Sequence, residues 1–480
     1  MTNNILLKIS KFFLYLVPLT AVIVYQGTLF PFIVGKYVFF RTTVGLALIF
    51  YLFHWAWEKR NKIPNSKFQK EKPSANNCRS FFSPLVIAVS VFILMFLLAG
   101  FFGYNPAASF WSNFERGEGG FQLLNLFIFF VLLVLTFKDE KSWRRLFIIA
   151  ISAALLVITY GVFGALGIGN FIGSSLCQRF AGSIGNAAYT GTYMIFAMFY
   201  AAYSVSESKG KIKKWFLIGF VILFFVFLLL TQTRGAVLGL AVAILAGLFY
   251  LLFTSPSSRW RYILSALIVF LITSGILGII YWRSINLMPF CQGEAGGGNR
   301  ILNISFSTEN YQTRLSLWRE SIKAFEERPL LGWGPENFTT AFEEHYDPKL
   351  YDASLNLNQS QPPPQTWFDR AHSIFFDYLV MTGALGFLSF LGIFAVLFWQ
   401  FFKFNLRPTT NDQRQIISDK KSLVVGRRSL VSNALLFALP IAYLVQGLVL
   451  FDVLPIYLNL FLFLAFINYK FGSESAKPQS

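Results

Sequence analysis

WFLIGFVILFFVFLLLTQTRGAVLGLAVAILAGLFYLLF, residues 215–253, decides how this chain folds. Two apolar runs, 215–231 and 236–253, are each long enough to cross about 30 Å of hydrocarbon as a helix. Only Thr231-Gln232-Thr233-Arg234-Gly235-Ala236 joins them. A linker that short cannot make a free loop, so Arg234 must point into a protein-lined cavity or snorkel to the interface. Gly235 lets the backbone turn sharply between the two spans.

The same signature extends outward in both directions. The 480 residues are 55% hydrophobic, 18% aromatic and 13% charged, whereas roughly a quarter of a soluble domain is charged. The chain therefore reads as an all-α, polytopic membrane protein with about twelve transmembrane helices, at residues 12–33, 37–57, 81–101, 121–137, 146–167, 186–205, 215–231, 236–253, 262–282, 380–402, 430–450 and 453–470.

A net charge of +18 would fit a nucleic-acid partner, but its distribution excludes one. The basic residues fall in every second loop: Lys59, Arg60, Lys62, Lys67, Lys70, Lys72 and Arg79, then Lys141, Arg144 and Arg145, then Lys209, Lys211, Lys213 and Lys214, then Arg259 and Arg261, then Lys403, Arg407, Lys420, Lys421, Arg427 and Arg428. Positive charge on alternate loops marks the cytoplasmic side and places both termini there. No small-residue cleavage site follows the first apolar run, so it is expected to remain as a helix.

This topology divides the chain into helices one to nine (1–282), a large external loop domain (283–379) and helices ten to twelve with a cytoplasmic tail (380–480). Up to Arg370 the loop carries eight basic residues against eleven acidic ones and so lacks the cytoplasmic excess. Leu315, Trp318, Ile322 and Phe325 recur at helical spacing and predict a helix over about 310–327, ended by Arg328-Pro329. Leu330-Leu331-Gly332-Trp333-Gly334-Pro335 then reads as a tight turn. Thr366-Trp367-Phe368-Asp369 has the form of a capping box, which predicts a helix starting near Trp367 and carrying His372 toward the membrane.

Chemistry concentrates at Asp369-Arg370-Ala371-His372-Ser373, where the long loop runs back into the bilayer. A titratable imidazole at that boundary can reach both a lipid-borne substrate and water. Arginines recur in the other outward gaps: Arg41 near the end of span two, Arg116 in Glu115-Arg116-Gly117-Glu118, Arg179 in Cys177-Gln178-Arg179-Phe180, and Arg234. Guanidinium groups are planar, permanently charged and bidentate, and a set of them suits a lipid pyrophosphate. The bland alternative for each is an interface anchor. Group transfer from such a lipid needs a general base for the acceptor hydroxyl, which His372 can supply. It also needs positive charge for the leaving group, which the arginines can supply. Arg370 would favour the neutral base and Asp369, on the same expected helical face, the protonated one; the sequence leaves that balance open.

Other groups carry less. His345 in an acidic stretch reads as solvated, and His54 beside Trp55 and Trp57 as part of an aromatic belt. Asp377 and Asp452 stand near membrane edges without acidic neighbours, so no metal is expected. Cys78 is expected in the cytoplasm and Cys177 and Cys291 outside, where the latter two could pair.

In order along the chain, Thr233-Arg234-Gly235-Ala236, Arg314-Leu315-Ser316-Leu317-Trp318, Pro329-Leu330-Leu331-Gly332-Trp333-Gly334, Arg370-Ala371-His372-Ser373 and Gly383-Ala384-Leu385-Gly386 resemble the O-antigen ligase family, whose superfamily includes O-antigen polymerases and protein O-oligosaccharyltransferases. The resemblance implies a membrane glycosyltransferase of the bacterial inner membrane. It would work on the outer face with an undecaprenyl-pyrophosphate-linked glycan as donor and without a cofactor. By motif, His372 and Arg234 match the family's essential histidine and arginine, and Arg179 a second arginine that contacts the pyrophosphate. Arg370, Arg116, Asp369 and Arg314 are expected to bind substrate. Many members place asparagine after the histidine, where this chain has Ser373. Ligation onto lipid A-core is the first expectation for the acceptor, with polymerisation or protein glycosylation as alternatives. A secondary transporter is the rival class, although it has no need of a large outer domain ending in Arg-X-His.

Overall fold

The computed structural model describes residues 2–62, 83–113, 117–172, 179–255, 258–281, 309–346, 368–405 and 420–475. Every regular element among them is helical. In chain order the α-helices are α1 (Thr2–Leu16), α2 (Val34–Lys62), α3 (Pro84–Phe101), α4 (Pro106–Trp111), α5 (Gly120–Thr136), α6 (Glu140–Ala165), α7 (Ala187–Glu207), α8 (Lys211–Leu230), α9 (Arg234–Thr254), α10 (Ser258–Tyr281), α11 (Glu309–Glu327), α12 (Phe338–His345), α13 (Ile374–Asn405), α14 (Lys420–Gly447) and α15 (Leu454–Ser475). Short 3-10 turns follow α1 (Val17–Val22) and precede α7 (Gly182–Ile184).

Each of the twelve expected spans falls on one of these helices. Nine are long and apolar enough to cross a membrane: α1 with its 3-10 extension, α2, α3, α6, α8, α9, α13, α14 and α15. Of the other three, α5 is apolar but has 17 residues. In α7 the hydroxyls of Tyr189, Thr190, Thr192, Tyr193, Tyr200 and Tyr203 dilute the apolar character, and all six side chains are buried in protein. The third is α10.

The first span differs from its expected 12–33. The helical run ends at Val22, and the following segment folds into a turn closed by the Tyr25 amide donating to the Pro31 carbonyl at 3.0 Å. Lys36 from α2 donates to the Ile23 carbonyl at 2.7 Å and fixes that turn in place.

The described chain forms two compact units: Met1–Trp143 with Ser305–Leu397 and Gly447–Ser480, and Arg144–Ile304 with Phe398–Gln446. In the first unit α15 is the centre, with Ile456, Leu458, Leu462, Leu464, Ala465 and Ile467 all buried. Trp143 packs its ring 5.2 Å from both Phe137 and Phe466 and donates its indole N–H to the Phe137 carbonyl. In the second unit Phe147 stacks on Tyr200 at 5.0 Å and Tyr250 on Phe437 at 5.4 Å. Gly239 lets α9 approach α14 closely, since a Cβ there would lie 2.8 Å from the Ala442 carbonyl oxygen.

One irregularity positions much of the first unit. Helix α13 is broken at Gly383, where φ is 62° and ψ is −169°. The break removes two helical hydrogen bonds, from the amides of Ala384 and Leu385 to the carbonyls of Val380 and Met381. All four groups find partners in the segment 329–334 instead. Trp333 and Gly334 donate to Val380 and Met381, each at 2.9 Å. Ala384 and Leu385 donate to Pro329 and Leu330 at 2.8 and 3.2 Å. Irregular backbone at membrane depth survives only where protein satisfies it, and two motifs that the sequence presents 50 residues apart form that single joint. A side chain at position 383 would meet the Leu331 amide at 2.6 Å, so only glycine fits.

Candidate active site

The helix predicted to start near Trp367 starts instead at Ile374, and His372 lies ahead of it in a bend with φ of 56°. Three backbone groups flanking the histidine are held by distant partners. The Ala371 amide donates to Asp377 Oδ1 at 2.7 Å, and the Ala371 carbonyl accepts from the Trp318 indole at 3.1 Å. The Ile374 amide donates to the Leu450 carbonyl at 3.1 Å. Thr366 and Trp367 of the expected capping box lie outside the described residues, while Asp377, within the first turn of α13, reaches back and holds the segment just ahead of it out of the helix. Asp369 therefore does not share a helical face with His372, as the capping reading supposed.

The imidazole is half-buried, edge-on to Phe368 at 6.0 Å and to Phe451 at 5.4 Å. Its Nδ1 lies 3.2 Å from the Arg370 carbonyl oxygen. A carbonyl only accepts, so Nδ1 must donate, and the neutral ring then carries its lone pair on Nε2. That is the tautomer a general base needs at its outer nitrogen.

Arg370 is almost wholly buried. Its guanidinium donates to Glu336 Oε1, lies 3.9 Å from Glu118 Oε2, and meets Met381 Sδ at 2.9 Å. Burial alone would lower its pKa, but the carboxylates of Glu336, Asp377, Glu118 and Asp369 outweigh burial and hold the group's pKa well above the ordinary arginine value. The carboxylates are anchored in turn. Ser112 donates to Glu336 Oε2 at 2.6 Å, and the Leu454 amide, opening α15, donates to Glu118 Oε1 at 3.0 Å. Nothing in the sequence marked Glu118 or Glu336 as partners of Arg370, because Glu336 lies 34 positions away and Glu118 further still.

In the second unit the Arg234 turn is built from neutral groups. Residues 231–233 link α8 to α9, and Thr231, Gln232 and Thr233 are all buried. Thr231 donates its hydroxyl to the Leu228 carbonyl at 2.6 Å. Thr233, at the N-cap of α9, turns its hydroxyl to the Ala187 carbonyl at 3.1 Å and makes no side-chain cap. The first turns of α7 and α9 are thereby tied together, with Gly191 making room: a Cβ there would lie 3.0 Å from both Thr231 Oγ1 and Ala236 Cβ. Arg179 joins the same turn, its Nε donating to the Thr231 carbonyl at 3.4 Å, while the Phe180 amide donates to Leu230 at 3.0 Å. Two helix N-termini, each carrying about half a positive charge, thus stand with two arginines, a combination suited to an anion.

Five non-glycine residues among those described have left-handed φ: Ser112, Arg179, Gln232, Glu336 and His372. All five belong to these two turns or to the ion pairs behind them. Such backbone strain, on the order of 1–3 kcal/mol each, concentrates at functional sites.

The remaining expectations divide as follows. Arg314 is half-buried in α11, the helix that brings Trp318 to Ala371 and stacks it on Phe376 at 5.2 Å. Arg41 donates to Gln122 Oε1 at 2.6 Å and to the Gly117 carbonyl at 2.5 Å, and packs on Tyr37 and Phe121. His345 is not solvated: it ends α12, largely buried, 3.4 Å from Glu327. Among the described residues no group of three or more His, Cys, Asp or Glu could hold a metal ion. Arg116, Cys78, Cys177 and Cys291, with the possible disulfide, lie outside the described residues.

No curated protein matches the chain. A family comparison does: residues 219–391, from α8 through the His372 turn into α13, match the O-antigen ligase family. That stretch contains both the Arg234 turn and the His372 turn, and over it the chain is similar to the O-antigen ligase family.

Proposed function

We propose that this membrane protein transfers a glycan from undecaprenyl pyrophosphate to an acceptor hydroxyl on the outer face of the bacterial inner membrane, with lipid A-core as the acceptor. The observation that carries the reading is the commitment of His372 Nδ1 to the Arg370 carbonyl, which leaves Nε2 as the basic nitrogen. In the reaction the acceptor hydroxyl loses its proton to Nε2 and its oxygen bonds to the anomeric carbon of the donor glycan. The bond from that carbon to the phosphate oxygen breaks, and its electron pair leaves with undecaprenyl pyrophosphate. Arg234, Arg179 and the N-termini of α7 and α9 balance the charge that grows on the leaving group. Positive charge from these groups makes a divalent cation unnecessary.

The test is transfer by purified protein from a purified lipid-linked donor, together with gene deletion and glycolipid gels. Ligation predicts that deletion strands long polymer on undecaprenyl pyrophosphate. An acceptor capped by a single repeat unit after deletion would instead identify a polymerase. Donor left intact by folded protein with every hydroxyl acceptor would overturn the transfer reading altogether.

A further inference from the structure

We infer that Glu336, assisted by Glu118, is a positioning residue for His372, acting through Arg370; the inference rests on the transfer reading for its catalytic consequence. The chain of contacts is continuous. Glu336 and Glu118 hold the Arg370 guanidinium from two sides, with all three side chains at most 7% exposed. The backbone carbonyl of that same Arg370 accepts from His372 Nδ1 and sets the tautomer. Four carboxylates, Glu336, Asp377, Glu118 and Asp369, act on Arg370. An arginine recruited only to bind phosphate would not be so enclosed.

The backbone strain follows the same path. Ser112 (φ 67°), Glu336 (φ 64°) and His372 (φ 56°) are linked in series through Arg370. Left-handed conformations in residues with side chains persist only where surroundings over-determine them. Here the over-determining element is an ion pair in a site nearly closed to water, where breaking one partner leaves an uncompensated buried charge. Arg370 can then shift only if the carboxylates release it, so the carbonyl stays where Nδ1 needs it.

The experiment compares Glu336→Gln with wild type in folded, detergent-purified protein. The variant keeps the side chain's size and removes its charge. Turnover is expected to fall by up to about a hundredfold, the cost of a small misplacement of a catalytic group, while the donor KM stays unchanged. In a His372→Ala background the same substitution has no further effect, because its route runs through the histidine. Three histidines make the tautomer directly readable by nitrogen NMR on histidine-labelled protein, with His372 assigned by its loss in His372→Ala. Wild type is expected to hold one Nδ1–H tautomer and Glu336→Gln to mix the two.

Unchanged turnover with an unchanged tautomer overturns the inference, and so does a loss confined to KM, which would make Glu336 a substrate contact. Where Glu336→Gln yields no folded protein, Glu118→Gln decides by the same criteria with a smaller loss, its carboxylate being 3.9 Å from the guanidinium. The tautomer measurement needs no substrate. Wild type that transfers no glycan yet loses its single tautomer in Glu336→Gln supports the clamp and sinks only the transfer reading.

Discussion

The turn at residues 370–373 and the turn at residues 231–234 each set an arginine beside strained backbone, but they surround it differently. Arg370 is enclosed by carboxylates and serves the shape of its own segment. The Arg234 turn is made of Thr231, Gln232 and Thr233, its hydroxyls are spent on backbone carbonyls, and its neighbouring helices point their positive ends the same way. A cation enclosed by built-in anions holds structure, whereas helix N-termini add positive charge of their own to the second turn. The proposed reaction asks a different task of each turn: orientation of a base from the first, positive charge for a leaving group from the second.

The largest effect expected is on the base. His372→Ala should lower turnover by about a hundredfold to ten-thousandfold and leave donor binding intact, measured as transfer rate beside donor affinity. Near-normal transfer by the folded variant would remove the base from the first turn and leave the comparison without one side.

Next in size is the loss of the enclosed cation. Arg370→Ala strands Glu336 and Glu118 in a buried site and should destabilise the protein by about 3–5 kcal/mol, seen as a drop in thermal unfolding temperature in detergent. Arg179→Ala, in the neutral turn, should cost far less stability. Equal losses would erase the distinction drawn between enclosed and gathered arginines.

Arg234→Ala should weaken donor binding and turnover together, by about tenfold or more, as expected when a charged hydrogen bond worth roughly 1.5–3 kcal/mol is lost. Arg234→Lys should rescue poorly, since a point charge cannot reproduce the bidentate fork. Full rescue would mean that charge alone, and not the fork, serves the second turn. The smallest effect is none: excess EDTA should leave the transfer rate unchanged. Activity that vanishes there and returns with manganese would assign the leaving group to a metal and redirect attention to Asp377 and Asp452.

The two turns also differ in how far the sequence revealed them. Arg234 was legible because a short polar linker between two apolar runs has few ways to fold, and hydrophobic length is a strong local signal. The nine described helices long and apolar enough to cross a membrane were legible for the same reason, with a boundary shift where the 25–33 turn shortens the first. His372 stood out by its position and motif, but its conformation did not. A helix over 368–373 was expected from a local pattern, and these residues are held instead by bonds from Asp377, Trp318 and Leu450. Glu118 and Glu336 gave no signal, since an acidic residue in a hydrophilic stretch looks solvated until the fold buries it against a distant arginine. Gly383 was quoted as part of a motif, yet its broken helix could not be read without the segment that repairs it.

That break has a consequence for how the protein is made. A chain enters the membrane in order, so residues 329–334 have emerged before residues 380–385 follow. Broken at Gly383 without that segment, α13 would leave the carbonyls of Val380 and Met381 and the amides of Ala384 and Leu385 without partners, at several kcal/mol for each group if in hydrocarbon, whereas an unbroken helix would pair them with one another. The broken form of the helix is satisfied only when the earlier segment folds back and docks against it. The kink in α13 and the docking of this largely apolar segment are therefore one event. The docked segment leads directly into Glu336, so the residue that holds Arg370 arrives with the same event.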